Sequence, residues 1–505
     1  MRLLEWLLIA ANLVALFLLL GKASRRTRSW AVALNVSVLI LHALVEGIRY
    51  QLAFSYLLVL LFAAHLAVVK RGSLQRTTLS KALRGFAYGL AILLLAFSVL
   101  LAYALPVFQL PRPSGSYAVG VQRFHLVDEQ RQDPFLDKAP KKRELMVKLY
   151  YPAGMEKGGT PLRYFDGNGE LLRAFTGFYQ GLPSFLFDHL KLVKTNALPN
   201  SPIADKEPSY PVVLYSHGAG TSMEVETSPC EDLASRGYIV AAIDHTYVSA
   251  ATAFPDRIVS QKEATTDFQA VEPAGIISEI MAEDARFVIG KLEALNAGSL
   301  DARFKNKLDL DRLGAVGHSV GGAAVYDLAF TDKRVKAAIN VDGFVYRTPP
   351  KDAASLAPLL MIANDRYHVQ LFEKRRALME KFEDLPELDQ QINLELYGSR
   401  EAYDEEYRKA NENLLGLADA VKQNGALYTI QGSDHMKFTD IGLYFGLQPL
   451  RERIGIGGEI EPVRCLRITE DLTAAFMDRH LKGKSEASLE KLSETYPELK
   501  KVTLP

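Results

Sequence analysis

The sequence predicts an α/β chain: a mostly parallel, doubly wound sheet preceded by an all-α transmembrane region of about four helices. Three observations predict it. Long apolar runs are confined to the first 110 residues, short apolar runs alternate with helical patterns over the rest, and a Gly-x-Ser-x-Gly turn marks one strand-to-helix junction. The chain has 505 residues, 48% hydrophobic and 23% charged, the composition of a folded protein with room for more than one unit. Its formal charge is zero, but residues 1–110 hold 11 Lys and Arg against Glu5 and Glu46 alone, so +9, and the remainder carries the balancing −9. An acidic bulk argues against nucleic-acid binding, which needs a basic face. Two cysteines exclude a disulfide scaffold and the repeated Cys/His spacing of a structural zinc site.

In chain order, Leu3–Gly21, Leu52–Val69 and Gly85–Phe108 are each apolar and long enough to cross roughly 30 Å of hydrocarbon. Trp30–Val45 is weaker, being short and carrying Asn35 and His42. The loops settle its reading. Lys22, Arg25, Arg26 and Arg28 follow the first run, and Lys70, Arg71, Arg76, Lys81 and Arg84 follow the third, whereas only Arg49 lies between the second and third. Lys and Arg stay on the cytoplasmic side during insertion. The two basic loops share a side only if Trp30–Val45 spans, which gives residues 1–110 four helices and leaves everything after them outside the cytoplasm. A cleaved signal peptide fits less well, because several runs are present and no small-residue cleavage site follows the first. The Pro111–Ser116 stretch (PRPSGS) then reads as a linker, since proline ends a helix.

Residues 117–485 read as the α/β unit. Tyr117–Leu126 and Glu144–Tyr151 are rich in β-formers and suit early antiparallel strands. Tyr210–Ser216, Gly237–Asp244, Leu313–Gly317, Val335–Val341, Pro358–Ala363 and Leu427–Ile430 are short apolar runs of the kind buried on both faces of a parallel sheet. Helical patterns fall around Pro229–Arg236, Ile276–Leu295, Gly321–Phe330 and Thr469–Leu481. Two stretches break the alternation: an aromatic one at 157–208 with Phe175, Phe178, Tyr179, Phe185 and Phe187, and a charged helical insertion at 366–425. Insertions at a site's edge often act as lids; the aromatic stretch is expected to face substrate, and the charged one is equally well a solvated excursion. Residues 486–505 read as a C-terminal tail.

The chemistry converges on Ser319. Gly317-His318-Ser319-Val320-Gly321 follows a buried-strand pattern and precedes a helix, the context of a nucleophile elbow. The turn is so tight that the residues two before and two after the serine must be small, and the helix that follows aims its positive end at the serine. A serine hydroxyl needs a base. His435, in Gly432-Ser433-Asp434-His435 directly after the last strand, is placed to serve, whereas His245, His368 and His480 read as satisfied core or surface residues and the His318 side chain should point away from the nucleophile. The orienting acid is Asp342, ending AAINVD, or Asp365, ending LLMIAND; spacing leaves both open. An oxyanion hole needs two backbone N–H groups: Val320, after the nucleophile, and Ala219, in the His217-Gly218-Ala219-Gly220 turn.

The segments YPVVLYSHGAG, DLASRGYIVAAIDH, LDLDRLGAVGHSVGG, AAINVDG and QGSDHMKFTD, with YAVGVQRFHLVD and RELMVKLYYPA upstream, resemble the platelet-activating factor acetylhydrolase family over residues 117–485. The resemblance implies an α/β-hydrolase fold and calcium-independent hydrolysis of short or oxidised acyl groups at the sn-2 position of phospholipids. It carries the acid over to Asp342, with Asp365 in reserve, and the oxyanion donors to Ala219 and Val320. No metal or organic cofactor is implied. The expected partners are an ester or phospholipid substrate and the bilayer, with no nucleic acid. The membrane anchor and the 366–425 insertion depart from the secreted members. Two other readings stand beside this one: a dienelactone-hydrolase-like or polyester-cleaving carboxylesterase, and a non-catalytic membrane sensing module. Cys230 and Cys465 fall near helices on one face of the sheet, where a disulfide outside the cytoplasm is an option.

Overall fold

The computed structural model describes every residue except 22, 71–80, 139, 155–158, 179–182, 267–272, 348–356, 366–378, 485–486 and 505. The chain opens with four apolar helices, α1 (Leu3–Leu20), α2 (Arg25–Val45), α3 (Ala53–Lys70) and α4 (Lys81–Ala104). Ala15, Leu16, Leu52, Leu58 and Leu95 fill the interior of the bundle, while Phe17, Leu60, Leu93 and Leu100 face outward. A polar seam ties the helices: Asn35 donates to Asn12, and Asn12 donates to the Leu8 and Ser55 carbonyls.

Three helices are long and apolar enough to cross a membrane, Arg25–Val45, Tyr50–Val68 and Gly85–Ala104, and Leu3–Leu20 is a further apolar helix. The Ser24 hydroxyl accepts the Thr27 N–H at 3.1 Å, so the second helix begins at Arg25 and reaches 21 residues. The first, Leu3–Leu20, has 18 residues, about 27 Å at 1.5 Å per residue.

The remainder builds one ten-stranded sheet in the order β12-β11-β10-β9-β8-β4-β5-β2-β1-β3. Its elements are β1 (Ala118–Gln132), β2 (Lys142–Ala153), β3 (Ala197–Pro199), β4 (Tyr210–Ser216), β5 (Ile239–Asp244), β8 (Leu308–His318), β9 (Val335–Val341), β10 (Leu359–Asn364), β11 (Gly425–Ile430) and β12 (Leu499–Lys501), with β6 (Ala251–Ala253) and β7 (Ile258–Ser260) paired separately. From β5 through β4, β8, β9 and β10 to β11 all neighbours are parallel, whereas β1 and β2 are antiparallel at one end and β12 at the other. Helices α5 (Gly169–Phe178), α6 (Thr227–Ser235), α7 (Pro273–Asn296), α8 (Val320–Thr331) and Pro462–Lys482 accompany the sheet. Two apolar clusters, one holding Val213, Val240, Ile339 and Leu472 and the other Val212, Ile239, Ala338 and Val288, sandwich the strands. That double burial is why the central strands read as unbroken apolar runs.

One expectation needs correction. Residues 486–505 are more than a tail: helix Ala487–Thr495 precedes β12, which pairs with β11, and Leu489, Tyr496 and Leu499 enter the core. The strand is three residues long, too short to show periodicity. Cys230 and Cys465 are both buried free thiols. Of the charged 366–425 stretch, the described part forms helices Glu387–Tyr397 and Arg400–Asn424. The second buries Tyr403, Leu417, Ala420 and Val421 and feeds β11, and so serves as the crossover between β10 and β11.

The bundle and the sheet domain meet through ordered contacts. Phe108 stacks on Tyr444 and meets Tyr164 edge-on. Gln51 donates to the Leu186 carbonyl at 2.8 Å, and Tyr50 packs edge-on against Phe185. The Pro111–Ser116 linker is strapped to α6, with the Ser114 N–H and hydroxyl both donating to Asp232.

Candidate active site

Ser319 sits between β8 and α8 with φ 58° and ψ −127°, a left-handed conformation that only a tight turn imposes. Its N–H donates to the Val341 carbonyl at 2.9 Å, which fastens the turn to β9. A Cβ on Gly317 would overlap the Gly321 carbonyl, and one on Gly321 would overlap the Ser216 and His217 carbonyls. Steric exclusion thus explains the two flanking glycines.

The structure brings Ser319, His435 and Asp342 together. His435 Nδ1 lies 2.7 Å from Asp342 Oδ2, and His435 Nε2 lies 3.0 Å from Ser319 Oγ. A carboxylate only accepts, so Nδ1 carries the proton and Nε2 accepts from the serine hydroxyl. Asp342 is 1% exposed. Its carboxylate also accepts the Asn364 N–H at 2.8 Å and both contacts of the Asn364 side-chain amide. The Asp342 backbone has φ 55°, and its N–H donates to the Ile362 carbonyl at 2.7 Å. Asp365, the reserve acid, is elsewhere: its Oδ2 accepts the Gly432 N–H at 3.0 Å and so tethers the loop that carries His435.

Val320 is half-buried and Ala219 exposed, and among the described residues their N–H groups reach no acceptor. The Ala219 turn abuts the serine, since a Cβ on Gly218 would lie 2.9 Å from Ser319 Cβ. Phe178 bounds the same turn, in contact range of any Cβ at Gly220. Of the other aromatics, Phe175 and Phe187 are buried, Phe185 is exposed at the bundle junction, and Tyr179 lies outside the described residues, as does His368.

Sequence reasoning missed three supporting residues. His318 does more than sit beside the nucleophile: its Nε2 donates to the His435 carbonyl at 3.0 Å and its ring lies 4.6 Å from the His435 ring. Burial and the neighbouring His435 push its pKa down to about 3, so it stays neutral. Asn364 holds Asp342, and Asn340 closes the turn after β9 by donating to the Gly343 carbonyl and accepting its N–H. The asparagines in AAINVD and LLMIAND were visible, but the partner of Asn364 lies across strands, and that of Asn340 is set by the turn that follows β9. His245 is buried, as expected, and joins a chain of buried groups between β4 and α7.

A mostly parallel sheet with a strand-elbow-helix serine and a histidine after a late strand defines an α/β-hydrolase. Consistent with this, the structure is similar to a ferulic acid esterase from Streptomyces cinnamoneus, with a TM-score of 0.57, 27% identity, and coverage of 79% of this chain and all of that one. The family described as platelet-activating factor acetylhydrolase, isoform II, matches residues 104–291 and 290–495, and the chain belongs to it. Relatives include the platelet-activating factor acetylhydrolases of Canis lupus familiaris, 28% identical over 290 residues, and Cavia porcellus, 26% identical over 295. The matches cover 51% and 54% of this chain and 61% and 64% of those relatives, so the chain spans under two thirds of their length.

Proposed function

We propose that the protein is a membrane-anchored serine carboxylic-ester hydrolase that cleaves short or oxidised acyl esters, at the sn-2 position of phospholipids, through an acyl-enzyme. The observation that carries this reading is the continuous chain from Ser319 Oγ through His435 to Asp342. The Ser319 proton passes to His435 Nε2 as Oγ attacks the ester carbonyl carbon. The oxyanion is met by the Ala219 and Val320 N–H groups, which point at no other acceptor among the described residues. The imidazolium, held by Asp342, protonates the leaving alkoxide as the C–O bond breaks. Water then attacks the acyl-enzyme, giving up its proton to His435, and the carboxylic acid departs as Ser319 recovers its hydrogen.

A lipid substrate is supported by continuity of apolar packing. Met436, beside His435, and Phe178, beside the Ala219 turn, pack on the same cluster as Leu105, Val107 and Phe108, which lead out of the last apolar helix. The four-helix anchor and the basic loops favour an extracytoplasmic catalytic domain. An alkaline phosphatase fusion after Leu110 should be active, and an inactive fusion would contradict that orientation.

The deciding experiment is fluorophosphonate labelling followed by hydrolysis assays on sn-2-acetyl and long-chain phospholipids and p-nitrophenyl, feruloyl and polyester substrates. Ser319→Ala should abolish labelling and lower turnover by at least about 10³-fold. Unchanged turnover in that variant would sink the hydrolase reading. A preference for feruloyl or polymeric esters would favour the general carboxylesterase suggested by the structural neighbour's substrate.

A further inference from the structure

We propose that Thr221 and His217 are positioning residues that hold the Gly218–Ala219 peptide in the orientation an oxyanion hole requires, so that the hole exists before substrate arrives. The proposal rests on the hydrolase reading above and concerns two residues that touch neither substrate nor reacting atoms.

The argument begins with the geometry of one peptide unit. In a trans peptide the carbonyl of one residue and the N–H of the next point in opposite directions, and the described chain has no cis peptide bond. Whatever fixes the Gly218 carbonyl therefore fixes the Ala219 N–H. Three donors converge on that carbonyl from the protein side: Thr221 Oγ1–H at 2.7 Å, the Thr221 N–H at 3.1 Å and His217 Nδ1 at 2.8 Å. Flipping the peptide would abandon all three inside the protein, where His217 is 0% and Thr221 4% exposed. The Ala219 N–H is thereby turned away from those donors, in a turn where Ala219 is exposed and Gly218 abuts Ser319.

The protonation state of His217 is determined from both ends. The Gly218 carbonyl can only accept, so Nδ1 must donate. The His245 N–H can only donate, and it meets His217 Nε2 at 3.1 Å, so Nε2 must accept. Ser249 Oγ lies 2.8 Å from the same nitrogen. The ring is thus the neutral Nδ1–H tautomer, consistent with burial and the neighbouring His245 pushing its pKa down to about 3. The network continues outward: His245 pairs with Asp284 at 3.0 Å and with Ser216 Oγ at 3.1 Å, and Asp284 is gripped by Arg143. Ser216, His245 and Asp284 repeat the residue types of a catalytic triad, yet each is at most 1% exposed, so they serve as a brace and not as a second active site. The turn is also pinned on its far side, with the Gly220 N–H on the Val248 carbonyl and the Ala250 N–H on the Thr221 carbonyl.

The test is a pair of conservative and disruptive substitutions at each position in the full-length protein. Thr221→Val keeps shape and loses the hydroxyl donor, and Thr221→Ser keeps the donor. Asn places its amide nitrogen near the position of His Nδ1, so His217→Asn keeps that donor and His217→Leu loses it. The disruptive variants should lower kcat by about ten- to a hundred-fold, less than deleting an oxyanion donor outright, with KM within about threefold because the hole acts on the transition state. The Ki of a trifluoromethyl ketone, which forms a tetrahedral oxyanion on Ser319, should rise by the same factor. The Ser and Asn variants should recover most of both. If Thr221→Val leaves kcat and Ki unchanged, or if Thr221→Ser loses as much as Thr221→Val, the latch is wrong. If His217→Leu does not fold, the Thr221 pair decides alone. Absence of ester turnover in the wild-type protein would instead overturn the hydrolase reading, so the two failures are separable.

Discussion

Replacing Asp342 by Asn separates the two candidate acids, and the structure states which way it should go. Hydrogen bonds from the described residues converge on the carboxylate: the Asn364 N–H and the Asn364 amide at Oδ1, that amide again at Oδ2, and His435 Nδ1 at Oδ2. An amide has one accepting atom. The Asn364 main-chain N–H belongs to β10 and cannot turn away, so the accepting oxygen stays at the Oδ1 position and the NH2 group replaces Oδ2. That group meets His435 Nδ1 as a donor and stabilises the tautomer protonated on Nε2, which cannot take the Ser319 proton. The expected loss in kcat is about 10⁴-fold, equivalent to roughly 5 kcal/mol of transition-state stabilisation. The His435 side chain is 38% exposed, so solvent screens part of the charge effect, but the tautomer effect does not depend on screening. Asp365→Asn keeps an oxygen for the Gly432 N–H and should stay within about threefold of wild type. Steady-state hydrolysis of p-nitrophenyl acetate, with burst amplitudes to count active sites, reads both. An Asp342→Asn protein within tenfold of wild type, or an Asp365→Asn protein down by more than a hundredfold, would refute this assignment.

Two more outcomes follow from the buried groups. His318→Leu removes the donor to the His435 carbonyl and the ring beneath His435; it should destabilise the fold by about 1–3 kcal/mol and lower kcat several-fold, and His318→Gln, which retains a donor, should lose less, as thermal melts and turnover will show. Stability should also peak on the acid side of neutrality. Burial pushes Asp440 up to about 8 and Glu231 up to about 7. These raised values contribute stability that is complete below the unfolded carboxyl pKa of roughly 4 and lost as pH rises through 7–8. His189, His217 and His318 are pushed down to about 3, chiefly by burial, and contribute stability that is present above roughly 6.5 and lost as pH falls toward 3. Between pH 8.5 and 6.5 only the carboxyls act, so the Tm should rise as pH is lowered across that window, and Asp440→Asn should flatten the rise; a Tm that climbs from pH 6.5 to 8.5 would contradict both signs.

Much of the site was legible because its constraints are local. The elbow needs small residues at 317 and 321 for steric reasons acting within five residues. Strands buried on both faces announce themselves as apolar runs, and β4 and β9 were readable to the residue. The histidine was placed by one rule, that a base follows a late strand. The acid resisted, because Asp342 and Asp365 end adjacent parallel strands and differ only in which way each side chain turns. Asn364 donates to Asp342, whereas Asp365 accepts the Gly432 N–H. His318 was overlooked for the same reason, since its partner, the His435 carbonyl, lies 117 residues on.

By itself, the amino-acid sequence pointed to the apolar helices, the α/β alternation, the elbow and Ser319 and His435 as candidate nucleophile and base, since hydropathy, chain sterics and hydroxyl chemistry act over a few residues. Only the tertiary structure showed which carboxylate meets His435, the orientation of the Gly218–Ala219 peptide, the closing strand β12 and the seat of the helical bundle on the sheet domain. Those depend on groups brought together from far along the chain, 116 residues apart for His435 and Ser319 and 93 for His435 and Asp342. Hydrogen bonds are short-ranged and directional, so a partner that distant is chosen by how the layers pack and not by any local pattern.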